Sequence, residues 1–222
     1  MVLQINLFYR ILIYNLVSNE MKFIVKDNKL RTFNNFFSFF VMGLGVYIAL
    51  MPILPSIQLW WKQKNGVHIP YSGSLSQISS NGIKDNKPTP KDNRLVIPSI
   101  DVDTEIKEGS TMDVAANEGV WRRPNTSDSP MKSNMVLAGH RFAYSHPYGA
   151  FYHLDKLKVG DTLAIYWHGS EYLYKVTSSK VVEPTALYVE NPTSSPTLTL
   201  YTCTPIWSAK QRLVIIAEPL KE

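Results

Sequence analysis

Two hydrophobic regimes divide the chain. From Phe36 to Leu59 the sequence FFSFFVMGLGVYIALMPILPSIQL carries no charge, and about 20 such residues in a helix cross a hydrocarbon core of roughly 30 Å. Trp60 and Trp61 follow at its end, where an aromatic belt meets the interface. From Arg94 onwards the pattern breaks into short alternating or β-branched runs: RLVIPSI, TEI, MVLAG, TLAIYW, EYLYKV, KVVE, TLTLYT and RLVIIA. Turn signals such as Val159-Gly160-Asp161 and His168-Gly169-Ser170 separate them. Helical pieces are short, at Met112 to Asn117 and Gly149 to Leu157. Eight candidate strands within residues 93–222 predict a mostly β domain that closes, or nearly closes, into a barrel and so removes its exposed edges.

The pattern gives four segments: residues 1–35 as an N-terminal cytoplasmic segment, 36–61 as a transmembrane anchor, 62–92 as a flexible extracytoplasmic tether and 93–222 as the β domain. Residues 1–17 are apolar but interrupted by Asn6, Arg10 and Asn15, and they are short for a span. They form an amphipathic surface helix, or they lie upstream of a start at Met21 with the basic leader MKFIVKDNKLR; both readings stand. A cleaved signal peptide is the alternative for 36–59, but the run exceeds an ordinary h-region and lacks a small-x-small site. Lys22, Lys26, Lys29 and Arg31 precede the span, against Lys62 and Lys64 after it, which orients the N-terminus to the cytoplasm and the rest outwards. The tether, with YSGSLSQISSNG and KDNKPTPKDN, has too few apolar residues to repay ordering.

Composition and charge narrow the function. A chain of 222 residues, 45% hydrophobic, supports one sizeable domain and an accessory segment. The net charge of +5 invites a nucleic-acid reading, but its distribution argues against one. Lys and Arg outnumber Asp and Glu five to two in residues 1–35 and five to two in 61–92, whereas 93–222 carries 13 against 14. The basic excess flanks the apolar run, as on the two sides of a bilayer. A single cysteine, Cys203, cannot close an internal disulfide, so in an extracytoplasmic protein it is a free thiol to be accounted for.

That thiol lies where chemistry is expected. In PTLTLYTCTPIWSAKQRLVIIA (196–217), Leu198 and Leu200 alternate with Thr197, Thr199 and Tyr201, and Pro205 closes the strand just past Cys203. Leu213 to Ala217 forms a second strand that can pair beside it and bring Arg212 back towards Cys203. His140 follows MVLAG at another strand end. Each residue alone has a structural reading: a buried small hydrophobe, a lone strand-end histidine, a surface cation. Together they form an activated-thiol set, in which a thiolate attacks, a nearby cation favours it, an imidazole delivers a proton to a leaving amine, and a guanidinium meets a developing oxyanion. As metal ligands His140, His146 and His153 lack both a cysteine partner and helical spacing. His68 and His168 read as solvated, and Asp101, Asp103, Glu105 and Glu108 as an exposed strand face rather than a calcium cluster. No metal or cofactor is expected.

TLYTC (199–203) with Arg212 in SAKQRLVI, and LAGHR around His140, resembles the sortase family of cell-surface cysteine transpeptidases. RLVIPSIDVDTEIKEG and FYHLDKLKVGDTL add to the likeness, which covers about residues 93–220 in the family's order. The resemblance implies an eight-stranded sortase-type β-barrel preceded by one transmembrane helix, with His140, Cys203 and Arg212 catalytic. It implies cleavage of an LPxTG-like sorting signal between Thr and Gly through a thioacyl enzyme, and transfer of the surface protein to an amine of a cell-wall precursor or a pilin lysine. Thr202, Leu137, Ala138, Ile206 and Trp207 are the candidate substrate contacts. SAKQRLVI and the lack of a second apolar span are similar to class E or class D housekeeping enzymes, and no Asp-Pro-aromatic lid precedes the barrel. Class E members are associated with an LAxTG variant of the signal, so the second position of the motif stays open. Two alternatives also stay open: a thiol hydrolase that releases the acyl group to water, and a non-catalytic surface barrel with Cys203 merely buried.

Overall fold

The structure, a computed structural model, describes residues 28–51, 53–65, 88–115, 119–142, 149–206 and 208–220. It divides into two compact units, residues 1–53 and 54–222. The first contains helix α1 (Asn28–Leu50), of which Leu30–Leu50 is long and apolar enough to cross a membrane. Every side chain from Leu30 to Leu50 is uncovered by protein. Sequence analysis expected one apolar helix over 36–59; the chain instead makes two helices. α1 stops at Leu50, two residues ahead of Pro52 in the sequence, because proline lacks a helix donor and restricts the residue before it. Helix α2 (Leu54–Asn65) then carries Pro55 in its first turn, where the missing N–H breaks no bond. Residues 62–65, expected within a tether, belong to α2; residues 66–87 of that segment and the leader 1–27 lie outside the described residues.

The second unit holds α2 and eight strands: β1 (Arg94–Ile97), β2 (Val102–Lys107), β3 (Val120–Arg122), β4 (Asn134–Ala138), β5 (Thr162–Trp167), β6 (Ser170–Val182), β7 (Thr197–Thr204) and β8 (Gln211–Pro219). They close into a barrel in the order β1-β2-β3-β4-β7-β8-β6-β5. β2–β3 and β4–β7 are parallel and the other pairs antiparallel. The expected barrel is present, though not from the eight runs proposed. EYLYKV and KVVE are one strand, β6, which pairs with β5 through Lys175 and with β8 along its second half. A bulge between Val176 and Ser178 shifts the register of β6 against β8. Val120–Arg122, too short to show a period, supplies the eighth strand.

The barrel interior is filled by one face of each strand, including Leu95, Ile106, Leu137, Leu163, Leu200 and Ile215. A second apolar layer of Val96, Ala164 and Tyr166 covers the outside of β1 and β5, which is why those strands read as continuous apolar runs rather than alternations. The β5–β6 hairpin turns through His168 (φ 50°) and Gly169 (φ 78°), the two left-handed residues that a two-residue turn matching strand twist requires. Tyr174, fully buried, donates its hydroxyl proton to Pro130 O and ties β6 to the loop before β4.

α2 packs on the barrel by burying Pro55 and Leu59. Gln63 Nε2 donates to Ser99 O at 2.7 Å, and Lys62 Nζ meets Asp101 Oδ2 at 2.5 Å; the latter pair is exposed and contributes little. Between them lies a cavity of about 220 Å³ lined by Pro55, Gln58, Leu59, Asp101, Tyr152 and His153, among others. Burial there holds the His153 imidazole below its ordinary pKa, against the opposing effects of a hydrogen bond to the Pro55 backbone and the Asp155 carboxylate.

The unfolded chain protonates this histidine near pH ~6.5 while the folded chain resists, so His153 favours the fold fully above that pH and less as pH falls through it. Thermal melting of the full chain should therefore show a drop between about pH 7 and about pH 5 that His153→Asn makes shallower; an equal or steeper drop in the variant would refute the assignment.

Candidate active site

The β7–β8 hairpin makes the first pairing. Along β7, Leu198 and Leu200 belong to the barrel interior, so by the two-residue period Tyr201 and Cys203 face outwards and Thr202 inwards. Cys203 pairs directly with Arg212, and residues directly opposite on antiparallel strands share a face with Cβ atoms about 4.5–5.5 Å apart. The thiol is half-buried and not in a disulfide. Arg212 Nη1 donates to Ala209 O at 3.1 Å and to Gln211 O at 3.0 Å. Ala209 has a φ of 51°, a conformation that costs an L-residue about 1–2 kcal/mol. The strain falls in the hairpin loop that supplies carbonyls to the guanidinium.

β4 brings the third group. It runs parallel to β7 with Ala138 opposite Tyr201, and the ladder's last bond runs from Gly139 N to Tyr201 O at 3.2 Å. His140 lies two residues beyond that last pair, past the end of β4. Beyond the ladder, His140 is held by its neighbours. Phe151 N donates to His140 O at 3.0 Å, and Gly149 lies so close that a Cβ there would stand 2.1 Å from His140 O and 2.9 Å from its Cβ.

Of the expected substrate contacts, Ala138 shares the outward face, packed with Trp121 and Tyr201. Leu137 is fully buried in the barrel core. Thr202 Oγ1 donates to Gly139 O at 2.8 Å, which fastens the end of β4 to β7 from inside. Ile206 is half-buried on the loop after the Thr204–Pro205 cis peptide, and Trp207 lies outside the described residues. Cys203, Arg212 and Ala138 thus share one face of three neighbouring strands, with His140 two residues past Ala138, and Leu137 and Thr202 belong to the other.

Beside Arg212 a cavity of about 170 Å³ opens, lined by Arg123, Glu183, Leu187, Glu190, Tyr201 and other residues. Glu190 Oε1 accepts from Arg123 Nε at 2.8 Å and from the Tyr201 hydroxyl at 2.8 Å. Burial, and then the bond to Glu190, push the Tyr201 phenol up, so it stays a donor at neutral pH. These contacts staple the 3-10 turn Leu187–Glu190, on the β6–β7 connection, against the sheet. Sequence reasoning missed Arg123 and Glu190 because each is a lone residue outside any periodic run; Tyr201 alone left a signal, sharing the outward phase of Cys203. Among the described residues no three His, Cys, Asp or Glu side chains gather to hold a metal ion.

A thiol paired with a guanidinium, and an imidazole just past the end of the adjacent strand, are groups that can form and resolve an acyl–sulfur bond. The comparisons with known proteins identify the barrel. Residues 95–220 match the sortase domain, and the chain belongs to the sortase family. Sortase SrtE1 of Streptomyces coelicolor is 25% identical over 195 residues, 78% of this chain and 54% of that protein. The chain thus spans about half the length of that curated relative. The crystal structure of sortase C-1 from Actinomyces oris aligns with a TM-score of 0.54 at 30% identity, over 59% of this chain and 73% of that one. Sortase C2 of group B Streptococcus pilus island 1 aligns with a TM-score of 0.53 at 31% identity, over 58% and 73%.

The close approach at Gly149 gives a test of this geometry. Gly149→Ala must displace the His140 backbone, and a shift of about 1 Å at a reacting group costs on the order of 100-fold in rate. Turnover of the variant within twofold of wild type, with a normal melt, would show that His140 need not stand where it does.

Proposed function

We propose that this chain is a membrane-anchored cysteine transpeptidase that cleaves a C-terminal sorting signal of the LPxTG or LAxTG type between Thr and Gly and joins the surface protein to an amine of the cell wall. The observation that carries the reading is the direct pairing of Cys203 with Arg212 across β7 and β8, beside the parallel strand β4 that ends two residues before His140, within a sortase domain. Helix α1 is the anchor, with the N-terminus cytoplasmic and the barrel outside; its apolar length supports this, as do the basic residues preceding it. The SAKQRLVI segment after the nucleophile favours a housekeeping role over pilus assembly.

Catalysis follows from three side chains. The Cys203 thiolate attacks the threonine carbonyl carbon; the C–S bond forms and the oxygen gains negative charge, which Arg212 meets with N–H donors. His140, as imidazolium, gives its proton to the departing glycine nitrogen as the C–N bond breaks. The acceptor amine then attacks the thioester, a new C–N bond forms, the thiolate leaves, and the amine's proton returns to His140. Ala138, Tyr201 and Ile206 border the groove in which the peptide lies, and Thr202 and Leu137 support that groove from within the barrel wall.

The test mixes the full chain in detergent with LPxTG and LAxTG peptides and an amine, and reads products by mass. A ligated product lost in Cys203→Ala is expected, and Arg212→Ala should lower kcat by about 100- to 1,000-fold, the usual effect of removing an oxyanion donor. Hydrolysis alone would make the protein a thiol hydrolase. Cleavage of neither peptide, with Cys203 unreactive to a small alkylating probe in the folded state, would leave a binding module.

A further inference from the structure

The transpeptidase reading gives roles to the reacting residues but leaves unexplained a buried cation next to His140 in the chain. Arg141 is 8% exposed, and burying a guanidinium is costly unless its donors are met. Here three acceptors on two segments meet them. Nη1 donates to Thr204 Oγ1 at 3.0 Å, Nε to Tyr152 O at 3.3 Å, and Nη2 to Asp155 Oδ1 at 2.9 Å. Two of these links matter for chemistry because of covalent neighbours: Arg141 is bonded to His140, and Thr204 is bonded to Cys203. The sheet itself does not fix this distance, because β4 ends at Ala138 and its last ladder bond is at Gly139. The side chain after the imidazole thus reaches across to the side chain after the thiol.

We propose that Arg141 is a positioning residue for acyl transfer: its planar fork spans from the His140 segment to the end of β7 and sets the separation of imidazole and thiol. Asp155 orients the fork from the 3-10 turn Leu154–Lys156 and offsets its charge, while the Tyr152 carbonyl fixes its plane. Arg141 touches no substrate and acts only through its neighbours. Lysine cannot substitute, because one ammonium cannot span three acceptors in this geometry.

The proposal rests on the transpeptidase reading, so its test separates the two. In the full chain, kcat and KM for peptide-to-amine transfer are measured for wild type, Arg141→Lys, Thr204→Val, Asp155→Asn and Cys203→Ala, each with its melting temperature. Thr204→Val is nearly isosteric and removes only the acceptor on the nucleophile strand. It should lower kcat about tenfold, as the loss of one hydrogen bond to a charged group would, with KM unmoved. Arg141→Lys should lower kcat about 100-fold without rescuing it, and Asp155→Asn, which keeps an acceptor, should fall between wild type and Arg141→Lys. A kcat within twofold of wild type for both Thr204→Val and the folded fraction of Arg141→Lys would overturn the proposal and leave Arg141 a brace of the scaffold. A rise in KM at unchanged kcat would overturn it as well, by moving its effect to binding. Turnover persisting in Cys203→Ala would instead sink the reading beneath it.

Discussion

The structure depends on the hydrogen-bond register of three strands. β7 is shared: its antiparallel bonds to β8 put Arg212 opposite Cys203, and its parallel bonds to β4 hold that strand to Ala138, two residues before His140. A slip of one residue in either ladder would turn the partner to the other face of the sheet. Register is secured by the core beneath, because Leu198, Leu200 and Ile215 fit the barrel interior only in this phase. The apolar pattern that folds the domain therefore also selects which residues share the outer groove.

Polar contacts then fix what the ladder leaves loose. The strands run out just where the reactive groups begin, and the ends are tied by side chains rather than by sheet. Thr202 bonds the Gly139 carbonyl from the inner face, Arg141 bonds Thr204 and Asp155 across the end, and Glu190 gathers Arg123 and Tyr201 at the cavity beside Arg212. These are charge-assisted or buried bonds, which are stronger and more directional than surface ion pairs such as Lys62 with Asp101. Rigidity at the groove thus comes from few, well-enclosed contacts.

Much of this was legible in the sequence, and the gaps have physical causes. Alternation in TLTLYT and the apolar run RLVIIA announced β7 and β8, and with them the approach of Arg212 to Cys203. MVLAG gave β4, although its burial on both faces hid the phase that sends Leu137 inwards and Ala138 outwards. β3 was invisible because three residues carry no period, and β6 looked like two strands because the polar Thr177-Ser178-Ser179 stretch at its bulge breaks the apolar pattern. The break between α1 and α2 was missed because the apolar run continues through Pro52 and Pro55, so hydropathy alone reads as one helix. Arg141, Arg123 and Glu190 left no trace, since their partners are distant in sequence and only folding brings them together.

The central claim, that this register makes Cys203 an acyl acceptor, is tested most directly by trapping. The full chain is incubated with a sorting-signal peptide without an amine, quenched in acid, and its mass and proteolytic fragments are measured. The account predicts an added mass equal to the peptide's acyl portion, confined to the fragment holding Cys203 and removed by neutral hydroxylamine, as a thioester would be. Cleavage of the peptide with no adduct on Cys203, or with the adduct on another residue, would contradict it.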